Sequence, residues 1–318
     1  MSHHKIVNLD SMSLQEFDTD AELIPLMTPE DEEEMYNEEL PKTLPILPLR
    51  NMVLFPGVVI PISAGRDKSI KLINDANVGD KIIGVVAQKN EADEDPTKND
   101  IHKIGTVARI LRVLKMPDGN VTVILQGKKR FEIDAVNSER PYINAYIKEV
   151  EEKRPSVHDT EFTAIMDSIK DLAIQIIKES PNIPSEATFA IKNIESQSFL
   201  INFVSSNMNL SVTEKQTLLA INALKERALE TLRYMNVELQ KLELKNDIQS
   251  KVRFDLDQQQ REYFLHQQMK TIQEELGGAS HEQEIDELRQ KAKTKNWDDK
   301  TAKHFEKELL KMQRMNPQ

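Results

Sequence analysis

Residues 222–276 contain neither glycine nor proline. The stretch is dense in Leu, Glu, Gln, Lys and Arg, which lose little rotamer freedom in a helix. Asn222 is placed to cap its start, and Gly277-Gly278 supplies a residue type that tolerates the left-handed conformation at its end. Helical throughout, it measures about 80 Å at ~1.5 Å per residue. No single small domain buries a rod of that length, so the helix is expected to protrude and meet a partner.

The apolar pattern changes along it. Ala228, Leu232, Met235, Leu239 and Leu242 step by fours and threes, the heptad spacing of a helix packed on another helix. Leu244, Ile248, Val252 and Leu256 then step by four, so their stripe drifts around the cylinder. Further on, Tyr263, Phe264, Leu265, Met269, Ile272 and Leu276 sit among amides and charges.

A chain of 318 residues is long enough for about two domains. Hydrophobic content of 39% supports a core, and 30% charge implies helices with wide polar faces. Aromatics at 5% disfavour a stacking platform for single-stranded nucleic acid. Cysteine is absent, which excludes disulfides, thiolate zinc sites and a cysteine nucleophile. No apolar run is long enough to span a membrane. Residues 1–40 hold twelve acids against Lys5 alone, which accounts for the whole net charge of −11. The remainder is neutral and exerts no bulk attraction on nucleic acid.

Residues 1–41 read as a disordered acidic leader. It lacks the pattern of a presequence or signal peptide. His3-His4 makes no metal site in such a tail, and the apolar pieces around Leu23-Ile24 and Met35-Tyr36 are candidates for docking. Residues 42–152 are strand-rich. Pro45 and Pro48 in the segment 43–51 point to an edge strand, because each removes a ladder donor. Val53 to Gly57 forms a turn, 58–62 a strand, 67–77 a short helix, and 81–88 a buried strand. An acidic loop spans 90–100. Strands 105–115 and 120–127 flank the hairpin turn Met116-Pro117-Asp118-Gly119, and 131–136 and 142–150 complete a small curved sheet.

Charge and proline at 151–155 mark a boundary. Phe162, Ile165, Met166, Ile169, Leu172, Ala173 and Ile176 then give an amphipathic helix over 159–178, ended by Pro181 and Pro184. Shorter helices follow at 186–194 and 198–205, and another starts near 210, with Thr213 and Gln216 in capping-box spacing. Residues 156–221 thus form a helical bundle, 222–277 the long helix, and 278–318 a helical linker. That linker holds helices at 284–291 and 298–315, with Trp297 as their packing anchor. The fold class is α+β.

Residues 260–277 resemble the QREYFLxxQMKxIQxELG signature of the Lon family of ATP-dependent proteases, matching at Gln260 to Leu265, Gln268 to Lys270, Ile272-Gln273 and Glu275 to Gly277. Leu44 to Asn51, Phe55-Pro56-Gly57, Gly105 to Ile110, Pro117 to Gly119, Gly127 and Arg130-Phe131 resemble the amino-terminal domain of that family in the right order. Leu210, Lys215-Gln216, Leu218-Leu219 and Arg227 also fit. The resemblance implies a PUA-like β-rich pseudobarrel before the bundle, and an amino-terminal region that recruits unfolded or degron-bearing proteins. It implies homohexamers, with arms that assemble around a substrate entrance and with Tyr263, Phe264, Leu265 and Met269 as contact residues. It implies an ATPase domain with ATP and magnesium, and a Ser-Lys proteolytic dyad, neither within this chain, and a cytoplasmic location.

The residues themselves agree on chemistry. No G-x-x-x-x-G-K-[ST] loop exists, since Gly127-Lys128-Lys129 lacks the upstream glycine and the hydroxyl residue. No catalytic residue, cofactor site or metal site is assigned. For substrate contact, Val121, Val123 and Leu125 alternate onto the core face of their strand and leave Ile124 on the other. Leu54 and Phe55 in the turn are further candidates for an exposed patch, against the alternative that all three are buried. Two other readings remain: a free-standing PUA-like binding or adaptor module, and a structural coiled-coil spacer to which a β domain is superfluous.

Overall fold

The computed structural model describes residues 6–7, 24–25, 27–117, 119–156, 158–275, 278–295 and 297–314. His3-His4, Asp118 of the hairpin turn and the Leu276-Gly277 helix end lie outside the described residues. The chain divides into two compact units, 1–244 and 245–318.

In the first unit a short pair, β1 (Ile6–Val7) and β2 (Ile24–Pro25), precedes helix α1 (Pro29–Asn37). The leader expected to be disordered over 1–41 is built into the fold at residues 27–41. Thr28 and Asp31 form a capping box, Pro29 opens the helix, and Met27 and Met35 are buried with the bundle core. Three acids in the first turn suit the positive end of the helix.

Six strands follow: β3 (Thr43–Leu49), β4 (Val59–Ala64), β5 (Ile82–Ala87), β6 (Ile104–Lys115), β7 (Val121–Ser138) and β8 (Asn144–Glu149). Their order is β4-β7-β6-β5-β3-β8, and β8 also pairs with β7. The sheet therefore closes into a ring, β7-β6-β5-β3-β8, with β4 appended to the first half of β7. The two expected strands 120–127 and 131–136 are one strand of 18 residues that bends through irregularities at Ile133/Ala135 and Val136/Ser138.

The expected edge strand 43–51 is corrected. β3 lies inside the ring, pairing antiparallel with β8 through Thr43–Pro45 and parallel with β5 through Ile46–Leu49. Apart from Ile46, whose amide also donates to the Ile143 carbonyl at 2.8 Å, each half is paired on one side only, which leaves a free side where a missing proline donor is tolerated.

The ring core joins Leu47, Leu49, Val85, Ile110, Val123 and Leu125 to Leu72, Ile73 and Ala76 of helix α2 (Asp67–Val78). Full burial of each larger side chain contributes about 1.5–3 kcal/mol.

Helices α3 (Thr160–Glu179), α4 (Ala187–Asn193), α5 (Gln197–Asn207) and α6 (Val212–Ala220) form the bundle. Asp159 caps α3 by accepting from the Phe162 amide, and Lys225 holds that carboxylate at 2.9 Å. The capping box of α6 is Ser211–Glu214, two residues earlier than the expected Thr213–Gln216. Gln216 is instead buried and donates to the Ile104 carbonyl at 2.8 Å.

The long helix α7 runs from Leu224 to Glu275. Asn222 lies outside its first turn, and its side-chain oxygen accepts from Arg130 rather than capping the helix. Within the first unit Leu224, Ala228, Met235 and Leu239 are buried.

In the second unit, α7 from Lys245 to Glu275 keeps the side chains described there exposed, apart from the half-buried Asn246. Helices α8 (Gly278–Lys293) and α9 (Asp299–Arg314) bury Ile285 and Leu309. Helix α8 begins where a polar linker is expected. Trp297 packs edge-on against Phe305, ring centroids 5.0 Å apart, as an anchor for this pair. No helix among the described residues is long and apolar enough to cross a membrane.

Candidate functional site

The turn Val53 to Val58 carries two of the expected surface residues, and the structure places both inside. Leu54 is 2% exposed in the ring core, and Phe55 is fully buried against the bundle. The turn is the seam between ring and bundle. Thr106 donates to the Leu54 carbonyl at 2.5 Å, and Asn202 donates to the Pro56 carbonyl at 3.2 Å. Gly57 takes φ +79°, and a Cβ there would meet the Phe199 ring at 2.7 Å. An apolar pair beside Pro-Gly reads as an exposed turn only where nothing lies above it. Here α5 does.

Gly57 also sets the geometry of β4. Its amide donates to the Gly127 carbonyl at 2.9 Å, while the Gly127 amide donates to Val58 at 2.8 Å. Two residues thus oppose one, a bulge with its glycine in the left-handed region. Beyond it the ladder alternates. Ile60, Ile62 and Ala64 face Leu125, Val123 and Val121 in hydrogen-bonded pairs, so the main-chain groups of Val59, Pro61 and Ser63 point away from β7. Among the described residues β4 pairs with no other strand, and its outer edge is free. Pro61 falls where its missing N–H breaks no ladder bond.

Ile124 is half-buried on the outward face, opposite Pro61 on one side and Arg112 on the other. The ladder slips between Ile110 and Arg112, which leaves Leu111 as the extra residue, 48% exposed beside the exposed Arg112. Leu111, Ile124 and Pro61 thus put apolar side chains on the outside of three adjacent strands. Sequence alternation finds Ile124. It misses Leu111, because the bulge breaks the period of two.

Along the free edge of β4 runs a groove of 810 Å³, lined by Leu47 to Met52, Pro61 to Arg66, Ser69, Glu91 and Glu94. Arg66 donates to Gln88 Oε1 at 2.8 Å and to the Asp93 carbonyl at 3.0 Å. Burial, and then the neighbouring guanidinium of Arg50, push its pKa below the usual arginine range.

Behind this face a buried joint holds the ring to the root of α7. Arg227 is fully buried, and it donates twice to the Ile221 carbonyl (3.1 and 2.9 Å), to Glu152 at 3.0 Å and to Asn202 at 3.1 Å. Arg130 of β7 donates to the carbonyls of Leu219 and Ile221, both at 2.9 Å. Two guanidiniums therefore sit at the carboxyl end of α6, where the helix dipole favours cations. Burial and the proximity of Arg227 lower the Arg130 pKa to about 10.

Tyr36 of α1 donates to Glu152 at 3.1 Å, and burial with that carboxylate raises the phenol pKa. Arg154 stacks 4.4 Å over the Tyr36 ring and pairs with Glu32 at 2.6 Å. Sequence reasoning gave Arg227 no structural role, since nothing local marks an arginine that will be buried by partners far along the chain.

Tyr263, Phe264, Leu265 and Met269 all lie exposed on α7 in the second unit, Tyr263 at 68%. Tyr263 accepts from Gln267 at 3.2 Å. Among the described residues no cluster of three His, Cys, Asp or Glu side chains is arranged to hold a metal.

Residues 43–237 match the profile of the ATP-dependent protease La (Lon) substrate-binding domain. The chain is similar to the Lon protease of Flavobacterium johnsoniae, 84% identical over all of this chain and 39% of that protein. It is similar to the Lon protease of Cytophaga hutchinsonii, 50% identical over 93% of this chain and 36% of that protein. The chain thus spans under two fifths of the length of these relatives. Its fold is like that of the N-terminal domain of the Mycobacterium avium complex Lon protease, with a TM-score of 0.52 at 19% identity, covering 61% of this chain and 98% of that one. The profile takes in the ring, the bundle and the root of α7, and on that match the chain belongs to the Lon substrate-binding domain family.

Proposed function

We propose that the chain recruits unfolded or degron-bearing polypeptides for an ATP-dependent Lon serine protease in the cytoplasm. The observation that carries this reading is the match to a substrate-binding domain over a ring whose outer face carries Leu111, Ile124 and Pro61. Apolar side chains on an outward sheet face suit non-native chains, whose own apolar residues are uncovered. In this reading ATP, magnesium and the serine nucleophile belong to other parts of the family's chains, and the partners are proteins rather than membranes or nucleic acid. The exposed Tyr263, Phe264, Leu265 and Met269 serve as contacts between copies in a homohexamer.

The double variant Leu111→Asp/Ile124→Asp tests the reading. Capture of a reduced, carboxymethylated model protein is expected to fall at least about fivefold, since each aspartate places a charge where apolar contact is lost. Circular dichroism shows whether the ring has kept its fold. Unchanged capture by a folded variant removes this face from the site.

A further inference from the structure

We propose that the free edge of β4 binds an extended peptide by strand addition, with the peptide's terminal α-carboxylate held at Arg50. The inference rests on the polypeptide-recruiting reading and names the form of polypeptide that one part of the face accepts.

Three observations support it. First, the outer edge of β4 offers the amides of Val59 and Ser63 and the carbonyls of Val59, Pro61 and Ser63, all pointing away from β7. A single extended chain satisfies such a row, and an added strand draws affinity from main-chain bonds rather than from a fixed side-chain sequence. Second, the groove beside that edge has 810 Å³ of space and mixes apolar walls (Leu47, Met52, Pro61) with polar ones. Third, Arg50 is exposed, makes no ion pair or hydrogen bond among the described residues, and lies close enough to Arg66 to lower that guanidinium's pKa. A guanidinium engaged in no ion pair can hold a carboxylate through two parallel hydrogen bonds.

Direction follows from position. Arg66 lies two residues past the carboxyl end of β4, so its neighbour Arg50 marks that end of the groove. A segment whose α-carboxylate reaches Arg50 therefore runs parallel to β4. Glu91 and Glu94 also line the groove and disfavour acidic side chains along the rest of the segment. Pro61 leaves a gap in the donor row, which weakens pairing with a second copy's β4.

The experiment uses the full chain and a fluorescein-labelled decapeptide of alternating Val and Thr, made with a free carboxyl end and as its carboxamide. Fluorescence anisotropy is expected to show the free acid binding at least about tenfold tighter than the amide. Arg50→Gln is expected to erase that difference, and Ser63→Pro to weaken both peptides, because it removes an outward amide and spares the β4–β7 ladder. Equal binding of acid and amide overturns the proposal, as does an acid preference that survives Arg50→Gln, or no binding of either peptide. Dimerisation by sedimentation that Ser63→Pro abolishes also overturns it, by assigning the edge to a second copy. Capture of carboxymethylated protein is read in parallel. If it persists while the acid preference is absent, only the edge assignment falls. If it too is absent, the recruiting reading falls with it.

Discussion

Arg227→Met is expected to lower the unfolding free energy of the first unit by about 3–5 kcal/mol, the range for leaving one member of a buried ion pair unpaired. The side chain is fully buried and serves three acceptors at once: the Ile221 carbonyl, Glu152 and Asn202. Methionine fills much of the volume and donates nothing. Glu152 is then a buried carboxylate held, among the described residues, only by Tyr36, Ser198 and a longer contact to Arg154. The Ile221 carbonyl keeps Arg130, so the loss centres on the carboxylate. Arg227→Lys restores the charge but not the planar fork that spans two acceptors, and is expected to recover only part of the loss. Urea unfolding and a thermal melt, both followed by far-UV circular dichroism, measure both variants, with a fall in thermal midpoint on the order of 10 °C for Met. A shift within experimental error for Arg227→Met contradicts the joint.

Gly105→Ala is expected to cost about 3 kcal/mol, the upper end for forcing atoms into a packed core. A Cβ at Gly105 would lie 2.4 Å from the Val85 carbonyl oxygen, 2.7 Å from Val86 Cγ2 and 3.0 Å from Phe131 Cζ. None of these is the loose end of a long side chain. Val85 is hydrogen-bonded across the β5–β6 ladder and Phe131 is fully buried, so relief requires moving β5 against β6. Gly119→Ala is the contrasting case. Nothing lies within 4 Å of its Cβ, and only the left-handed φ of +86° is strained, for a cost of about 1–2 kcal/mol. Denaturation of the two variants side by side separates the mechanisms. Equal losses contradict the close-approach account of Gly105.

The long helix was legible because it depends on local properties, an unbroken run of helix formers without glycine or proline. The core side of β7 was legible too, because Val121, Val123 and Leu125 obey the period of two and all are buried. Legibility fails where distant elements decide. Leu54 and Phe55 lie in a turn that α5 and the ring cover, and no local pattern announces that cover. Pro45 and Pro48 suggest an edge, but they sit in a strand that changes partner halfway. The acidic run 30–34 looks like a solvated tail, yet Glu32 is buried against Arg154 and Ser196. Bulges escape for the same reason. Leu111 faces outward only because the β6–β7 register slips beside it, and Gly57 bends the chain into β4 only because Gly127 lies opposite.

Hydrogen–deuterium exchange on the intact chain, with and without a saturating unfolded polypeptide, tests directly whether the ring is the gripping surface. The account predicts slowed exchange in 59–64 and in the outward strands 108–126, with 245–314 unchanged. Protection confined to 245–314, with none in β4, β6 or β7, would contradict it.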